Sequence, residues 1–459
     1  MIKYIITTFI ALVFSFSSFA NTSWDEILNA KKAPQNWLTH HGTLDGHRFS
    51  GLDKINKKNV KKLKVVWTAP IGGVEGGGIW DHAGLEGTPL VEDGFMYVTD
   101  GWGSVYKYDA TKKGELVWKM NPDTDHDFPG AVTCCGINNR GVALIDNKVV
   151  SHTLDGRLIV TNKETGEIEQ EVQLADASIA EVITAAPLVV KNGAAITGIA
   201  GGEYGIRGYI NSTNLADGSR NWRTYTIPAP GEPGSETWKQ GPESHSKDAW
   251  MHGGGSTWVT GTYDEETNTI FWGAGNPGPD WDNEYRPGDN LYSNSALALD
   301  ADTGKIKWYF QYTPNDPYDF DGVNELTIVN TKIFGKKTKA LLVPNLIGNV
   351  PNWQKIKKIA KKYNLKVIED SADTLGAKIN NKPTGIYSDI SITSFYGSHV
   401  ISCAGNGGIF LTNNKNYFTR AKVLRSWGRM STLIKDSENI NKRLGIKLKG
   451  YDYDRKFVF

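Results

Sequence analysis

Two cysteines stand side by side at Cys134 and Cys135. Consecutive Cα atoms are only ~3.8 Å apart, less than the usual separation across a disulfide, so a bridge between these neighbours would close a strained ring. The alternative is a pair of small buried thiols. Farther along, Gly201-Gly202-Glu203 sets a carboxylate in a glycine-rich bend where backbone can approach a ligand. Gly275-Asn276-Pro277 offers an amide oxygen, and Asp300 and Asp302 offer two more carboxylates. Hard cations bind through oxygens of this kind, although each residue taken singly is also an ordinary turn former. Arg140, in a loop, is otherwise a solvated cation, and Trp258 after Gly253-Gly254-Gly255-Ser256-Thr257 is otherwise a core aromatic. In the last third, Asp370 ends the run Val367-Ile368-Glu369, and His399 closes Ser394-Phe395-Tyr396-Gly397-Ser398 with an imidazole able to move protons.

These groups need a scaffold, and the spacing of the tryptophans describes one. Trp67, Trp118, Gln170, Trp222 and Trp308 recur at intervals of 51, 52, 52 and 86 residues, each behind a polar turn containing Gly114, Gly166, Gly218 or Gly304 in the last four cases. A period of about 50 residues indicates a propeller or solenoid. Hairpin-like pieces such as Val91 to Val98 and Leu144 to Val150 precede the turns, so four strands per unit form one blade. The long final interval absorbs a Gly/Pro/Ser/Glu-rich loop over 228–246. The next beat is replaced by Trp353, Ile356, Ala360 and Tyr363 at helical spacing, followed by a strand over Leu365 to Asp370.

Charge divides the chain at the same place. The net charge of +1 over 459 residues is the sum of +12 for residues 345–459 (20 Lys+Arg, 8 Asp+Glu) and −11 for residues 1–344 (31 and 42). Thirteen of the 15 tryptophans lie in the acidic part, which marks it as aromatic-packed β-structure rather than the α/β pattern of the tail. At the start, Lys3, an apolar run from Tyr4 to Phe16 and small residues before a cut after Ala20 form an export signal; a membrane anchor is the alternative. Export permits a disulfide. The expected segments are therefore 1–20 (signal), 21–342 and 343–459.

The region from about Ser23 to Leu342 resembles the quinoprotein alcohol dehydrogenases, eight-bladed propellers that hold pyrroloquinoline quinone (PQQ) and a Ca²⁺ or lanthanide ion. The resemblance rests on the docking motif Ala298-x-Asp300-x-x-Thr303-Gly304-x-x-x-Trp308 and on the motifs quoted above. It implies a mostly β fold of about four blades, a vicinal Cys134–Cys135 disulfide on one PQQ face and the Trp258 indole on the other. Arg140, Glu86, Thr184, Gly201 and Gly202 become further cofactor contacts. It also implies Glu203, Asn276 and Asp300 as metal ligands, with Asp300 as base for the alcohol proton and Asp302 as an added carboxylate favouring a lanthanide. Many relatives carry Ser where Ala200 stands. The implied setting is periplasmic, with a small alcohol as substrate and cytochrome c as electron acceptor, no nucleic acid, and no membrane span once the signal is removed.

The region from about Leu341 to Phe459 resembles a part of the DegT/DnrJ/EryC1/StrS sugar aminotransferases, α/β fold-type I enzymes that use pyridoxal phosphate (PLP) or its pyridoxamine form, PMP. Val367-Ile368-Glu369-Asp370-Ser371-Ala372-Asp373-Thr374-Leu375-Gly376 carries that likeness. It implies Asp370 at the pyridinium nitrogen, Ser394 at the phosphate, and His399 as a base where aminotransferases carry a Schiff-base lysine, as in nucleotide-sugar 3-dehydrases. Cys403 is the sole cysteine of this region, which excludes an iron–sulfur cluster. Both portions read as incomplete, joined near Lys339 to Pro344 as a chimera of two reading frames. The function expected is an alcohol-oxidising quinoprotein impaired by truncation; the alternatives are a PLP dehydrase or aminotransferase fragment and a non-catalytic secreted propeller module.

Overall fold

The protein is represented by a computed structural model that describes residues 21–239, 244–329, 340–345, 350–374, 376–395 and 407–425. The proposed signal and His399 lie outside the described residues. The chain divides into two compact units, Met1–Val329 and Asn330–Phe459.

The first unit contains four antiparallel four-stranded sheets, each made of consecutive strands. Leu90–Glu92, Phe95–Thr99, Val105–Asp109 and Glu115–Met120 form the first, and Ala143–Ile145, Lys148–His152, Arg157–Asn162 and Ile168–Gln173 the second. Leu188–Val189, Ala194–Gly198, Tyr209–Asn214 and Arg220–Tyr225 form the third, and Thr262–Asp264, Thr269–Ala274, Ser295–Asp300 and Ile306–Gln311 the fourth. Asp93 and Gly94, both at positive φ (49° and 88°), turn the first hairpin, as its Glu-Asp-Gly sequence demands.

The inner strands read as unbroken apolar runs because they are buried on both faces. In the second sheet, Val149 and Ile159 pack with Leu90, Tyr97 and Val105 of the first, whereas the alternate residues Val150, Leu158 and Val160 pack with Ala195, Ile196 and Ile210 of the third. Alternation with a period of two sends neighbours to opposite faces, so the sheets stack on one another.

The tryptophan repeat is the clamp between them. The indole of Trp118, in the first sheet, lies against Gly166 of the second, where an added Cβ would stand 2.8 Å from the ring. Its Nε1 donates to Lys163 O at 3.0 Å. Trp222 of the third sheet sits on Gly304 of the fourth in the same way, with Nε1 donating to Ala301 O at 3.0 Å. Trp308, in the outermost strand of the fourth sheet, is 50% exposed.

In the second unit, Ala340–Pro344, Lys366–Asp370 and Ile390–Ser394 pair in parallel and Gly408–Leu411 joins antiparallel. The helix expected from the spacing spans Trp353–Tyr363, capped by Asn352 accepting from Lys355 N, with Trp353 and Ala360 buried. Strand Ala340–Pro344 pairs with Lys366–Asp370, so the segment boundary expected at 342/343 falls within a strand of this unit. Among the described residues no helix is long and apolar enough to cross a membrane.

Candidate functional site

Loops between and after the strands of the first unit bring most of the nominated residues together. Arg140 is the hub: its backbone N–H donates to Thr184 O at 3.1 Å, and its guanidinium pairs with Glu86 at 2.9 Å and lies 4.8 Å over the Trp258 ring. Cys134 and Cys135 carry their Sγ atoms 2.7 Å apart and are thiols in this structure. Solvent reaches both, yet the surrounding protein, the hydrogen bond with Cys135 and the Glu203 charge raise the Cys134 thiol.

Glu203 follows Gly201, whose φ of 113° and position against Ala180 O, 2.0 Å from where a Cβ would be, admit only glycine. The Gly275-Asn276 segment is laid beside Ser256 by the Gly275 N to Ser256 O hydrogen bond of 2.7 Å. Asn276 is buried, and its Oδ1 has no hydrogen-bond partner, nor does the buried Ser256 Oγ.

The structure does not bring Asp300 or Asp302 to this place. Asp300 Oδ1 accepts from Thr303 N at 3.1 Å and its other oxygen pairs with Lys307 at 3.3 Å. It occupies the turn position that Asp109, Asn162 and Asn214 fill in the other three sheets, where each side chain likewise accepts backbone N–H groups. Asp302 is exposed and bound by Asn192 and Asn268 at 2.9 and 2.8 Å. Their assignment as base and metal ligands is corrected: both serve the docking turn.

The carboxylates beside Glu203 come instead from the loop after the fourth sheet. Asp321 Oδ1 is buried and unpartnered, and it lies where a Cβ on Gly275 would stand 2.7 Å from it. The Trp258 side chain neighbours the Asp321 carboxylate. Burial, then the charges of Asp319 and Glu203, push Asp321 up to about 7. Burial and the charges of Asp280 and Asp319 also raise Glu203, and burial with Asp280 and Asp316 raises Asp319. Carboxylates that raise one another are close neighbours. The one sequence signal for this pair was Asp319-x-Asp321-Gly322, an aperiodic loop motif.

Residues 37–350 match the family described as glucose/ethanol/alcohol dehydrogenase, beta-propeller domain. The chain belongs to that family. It is 40% identical over 343 residues to the quinoprotein alcohol dehydrogenase PedH of Pseudomonas putida, an alignment covering 72% of this chain and 55% of PedH. It is 34% identical to the lanthanide-dependent methanol dehydrogenase of Methylacidiphilum fumariolicum, over 69% of this chain and 52% of that protein. The solved structure of a europium-containing methanol dehydrogenase superposes with a TM-score of 0.61 at 34% identity, covering 68% of this chain and 55% of that one. The chain spans about half the length of these relatives. Residues 327–452 match the DegT/DnrJ/EryC1/StrS aminotransferase family, and there the second unit places Asp370 and Ser394 at the carboxyl ends of adjacent parallel strands. Asp370 Oδ1 accepts from Ala372 N at 3.0 Å.

Proposed function

We propose that the first unit carries the cofactor half of an alcohol-oxidising quinoprotein site, with Glu203, Asn276, Asp319 and Asp321 around a hard cation and Cys134, Cys135, Arg140 and Trp258 around PQQ. The observation that carries this reading is a pair of buried oxygens without partners, Asn276 Oδ1 and Asp321 Oδ1, beside the Glu203 carboxylate. A buried acceptor without a partner can take a ligand, and an all-oxygen donor set suits Ca²⁺ or a lanthanide. Three facing carboxylates favour the trivalent ion.

Bound PQQ supplies a two-electron acceptor, and the cation beside it supplies Lewis acidity. The protein's part is positional. Glu86 holds Arg140 by an ion pair, and Arg140 is stacked on Trp258, which fixes the wall of the site. Asp319 is exposed to solvent in the same cluster and is the carboxylate placed to accept the proton of an alcohol hydroxyl. Oxidation of the cysteine pair to a vicinal disulfide, export to the periplasm and electron transfer to cytochrome c belong to this proposal.

The test is alcohol-dependent dye reduction by the full chain supplied with PQQ and either La³⁺ or Ca²⁺. Activity greater with La³⁺, abolished by Asp319→Asn and retained in Asp300→Asn, supports the reading. Activity lost in Asp300→Asn and retained in Asp319→Asn would overturn the reassigned base. For the second unit, Asp370 and Ser394 support a PLP-binding remnant with His399 as base. Absorbance of added PLP, in the native chain and in His399→Lys, tests that.

A further inference from the structure

We propose that Asp280 is a positioning residue for the cation: its carboxylate takes the amino end of the Asn276 amide and so commits the amide oxygen to the metal. The inference rests on the cation site just proposed and adds to it a residue outside the donor set.

The geometry begins with Asn276 Nδ2, which donates to Asp280 Oδ1 at 2.7 Å. A side-chain amide can be turned by 180° with little change in shape, and then its NH₂ would face the position meant for a donor oxygen. A carboxylate at one end removes that freedom, because it accepts from NH₂ and repels a carbonyl oxygen. With the amino end taken, the buried Asn276 Oδ1 is left as an acceptor without a partner.

Asp280 is itself held in place. The buried guanidinium of Arg286 donates through Nε to Pro279 O at 3.0 Å and through Nη2 to Asp280 O at 3.2 Å and Asp316 O at 2.6 Å. One cation therefore ties the loop that bears Asp280 to the start of the loop that bears Asp319 and Asp321. Asp316 continues the chain of support by accepting from Phe320 N at 2.8 Å. The orientation of Asn276 and the placement of the two aspartates share one anchor.

The experiment is a titration of the full chain with Tb³⁺, read by luminescence excited through tryptophan, since Trp258 neighbours Asp321. Asp280→Ala should weaken Tb³⁺ binding by about 10- to 100-fold, the range for an outer partner that orients a ligand. Asp280→Asn keeps an oxygen for the Asn276 NH₂ while removing the charge, so it should lose much less affinity than Asp280→Ala. In an Asn276→Ala background, Asp280→Ala should cause little further loss. Equal losses in Asp280→Asn and Asp280→Ala, or additive losses with Asn276→Ala, would overturn the positioning role. So would unchanged binding in Asp280→Ala while the parent chain binds. A parent chain that binds no Tb³⁺ would overturn the cation site and this inference together. Circular dichroism of each variant verifies that the sheets are retained.

Discussion

Gly275 lies against Asp321, so closely that a Cβ on the glycine would stand 2.7 Å from the carboxylate oxygen. The contact joins the strand end that leads into Asn276 to the loop that follows the fourth sheet. Ser256 Oγ lies 3.0 Å from the same Cβ position. Gly275→Ala has no left-handed backbone to strain, and its effect is confined to this crowding. We expect it to displace Asp321 and to lower stability by about 1–3 kcal/mol, typical of overpacking. Urea unfolding gives the stability, and Tb³⁺ titration shows whether the carboxylate has moved.

Asp321 and Asp302 separate the two placements of the extra carboxylate. Asp321→Ala should lower La³⁺ affinity by about tenfold or more, since affinity follows the charge and number of oxygen ligands. Asp302→Ala breaks its hydrogen bonds to Asn192 and Asn268 and leaves the cation site intact. Isothermal titration with La³⁺ measures both, and a loss confined to Asp302→Ala would return the site to the docking turn.

The tryptophan clamp predicts a difference between two glycines of similar backbone. Gly166 and Gly193 have φ of 77° and 76°, but a Cβ at Gly166 meets Trp118 at 2.8 Å whereas one at Gly193 meets nothing within 4 Å. Both alanine variants carry the left-handed cost of about 1–2 kcal/mol, and Gly166→Ala adds about 1–3 kcal/mol of overpacking. Denaturant midpoints should therefore fall further for Gly166→Ala than for Gly193→Ala. Equal falls would show that the indole yields freely.

His152 gives the first unit a pH dependence. It is fully buried, with Nδ1 at 2.9 Å from Ala185 O and Nε2 at 2.9 Å from Thr197 Oγ1, and burial lowers its pKa from 6.5 to about 4. The unfolded chain takes up this proton first, so the contribution is fully present above pH 6.5 and is lost as the pH falls towards 4. Its size is about 3 kcal/mol by linkage. Urea midpoints measured across that window should fall less steeply in His152→Gln than in the parent chain, and parallel curves would contradict the assignment.

Much of this was legible in the sequence because it is periodic. The interval of about 50 residues, the Asp-Gly hairpin and the helical spacing from Trp353 to Tyr363 each reflect a contact repeated by the chain. Glu203, Asn276, Arg140 and Trp258, which the proposed site uses, stand out in the sequence through motifs with glycine neighbours or a family likeness. Asp300 was misread although the repeat already set it in register with Asp109, Asn162 and Asn214, three turn anchors with no chemistry. Asp319 and Asp321 fall in an aperiodic loop among Tyr318 and Phe320, and only tertiary folding carries them to Glu203. Asp280 is less legible still, since its significance lies in one hydrogen bond to a residue four positions earlier.

In the proposed site, this chain's own residues suffice to hold PQQ with a cation. Equilibrium dialysis of the full chain against PQQ with and without La³⁺, with bound quinone read by absorbance and bound metal by mass spectrometry, tests it directly. The expected result is one PQQ and one La³⁺ per chain, each retained more tightly in the presence of the other and both weakened in Asp321→Ala. A parent chain that retains neither, or an Asp321→Ala variant that retains both as the parent does, would contradict it.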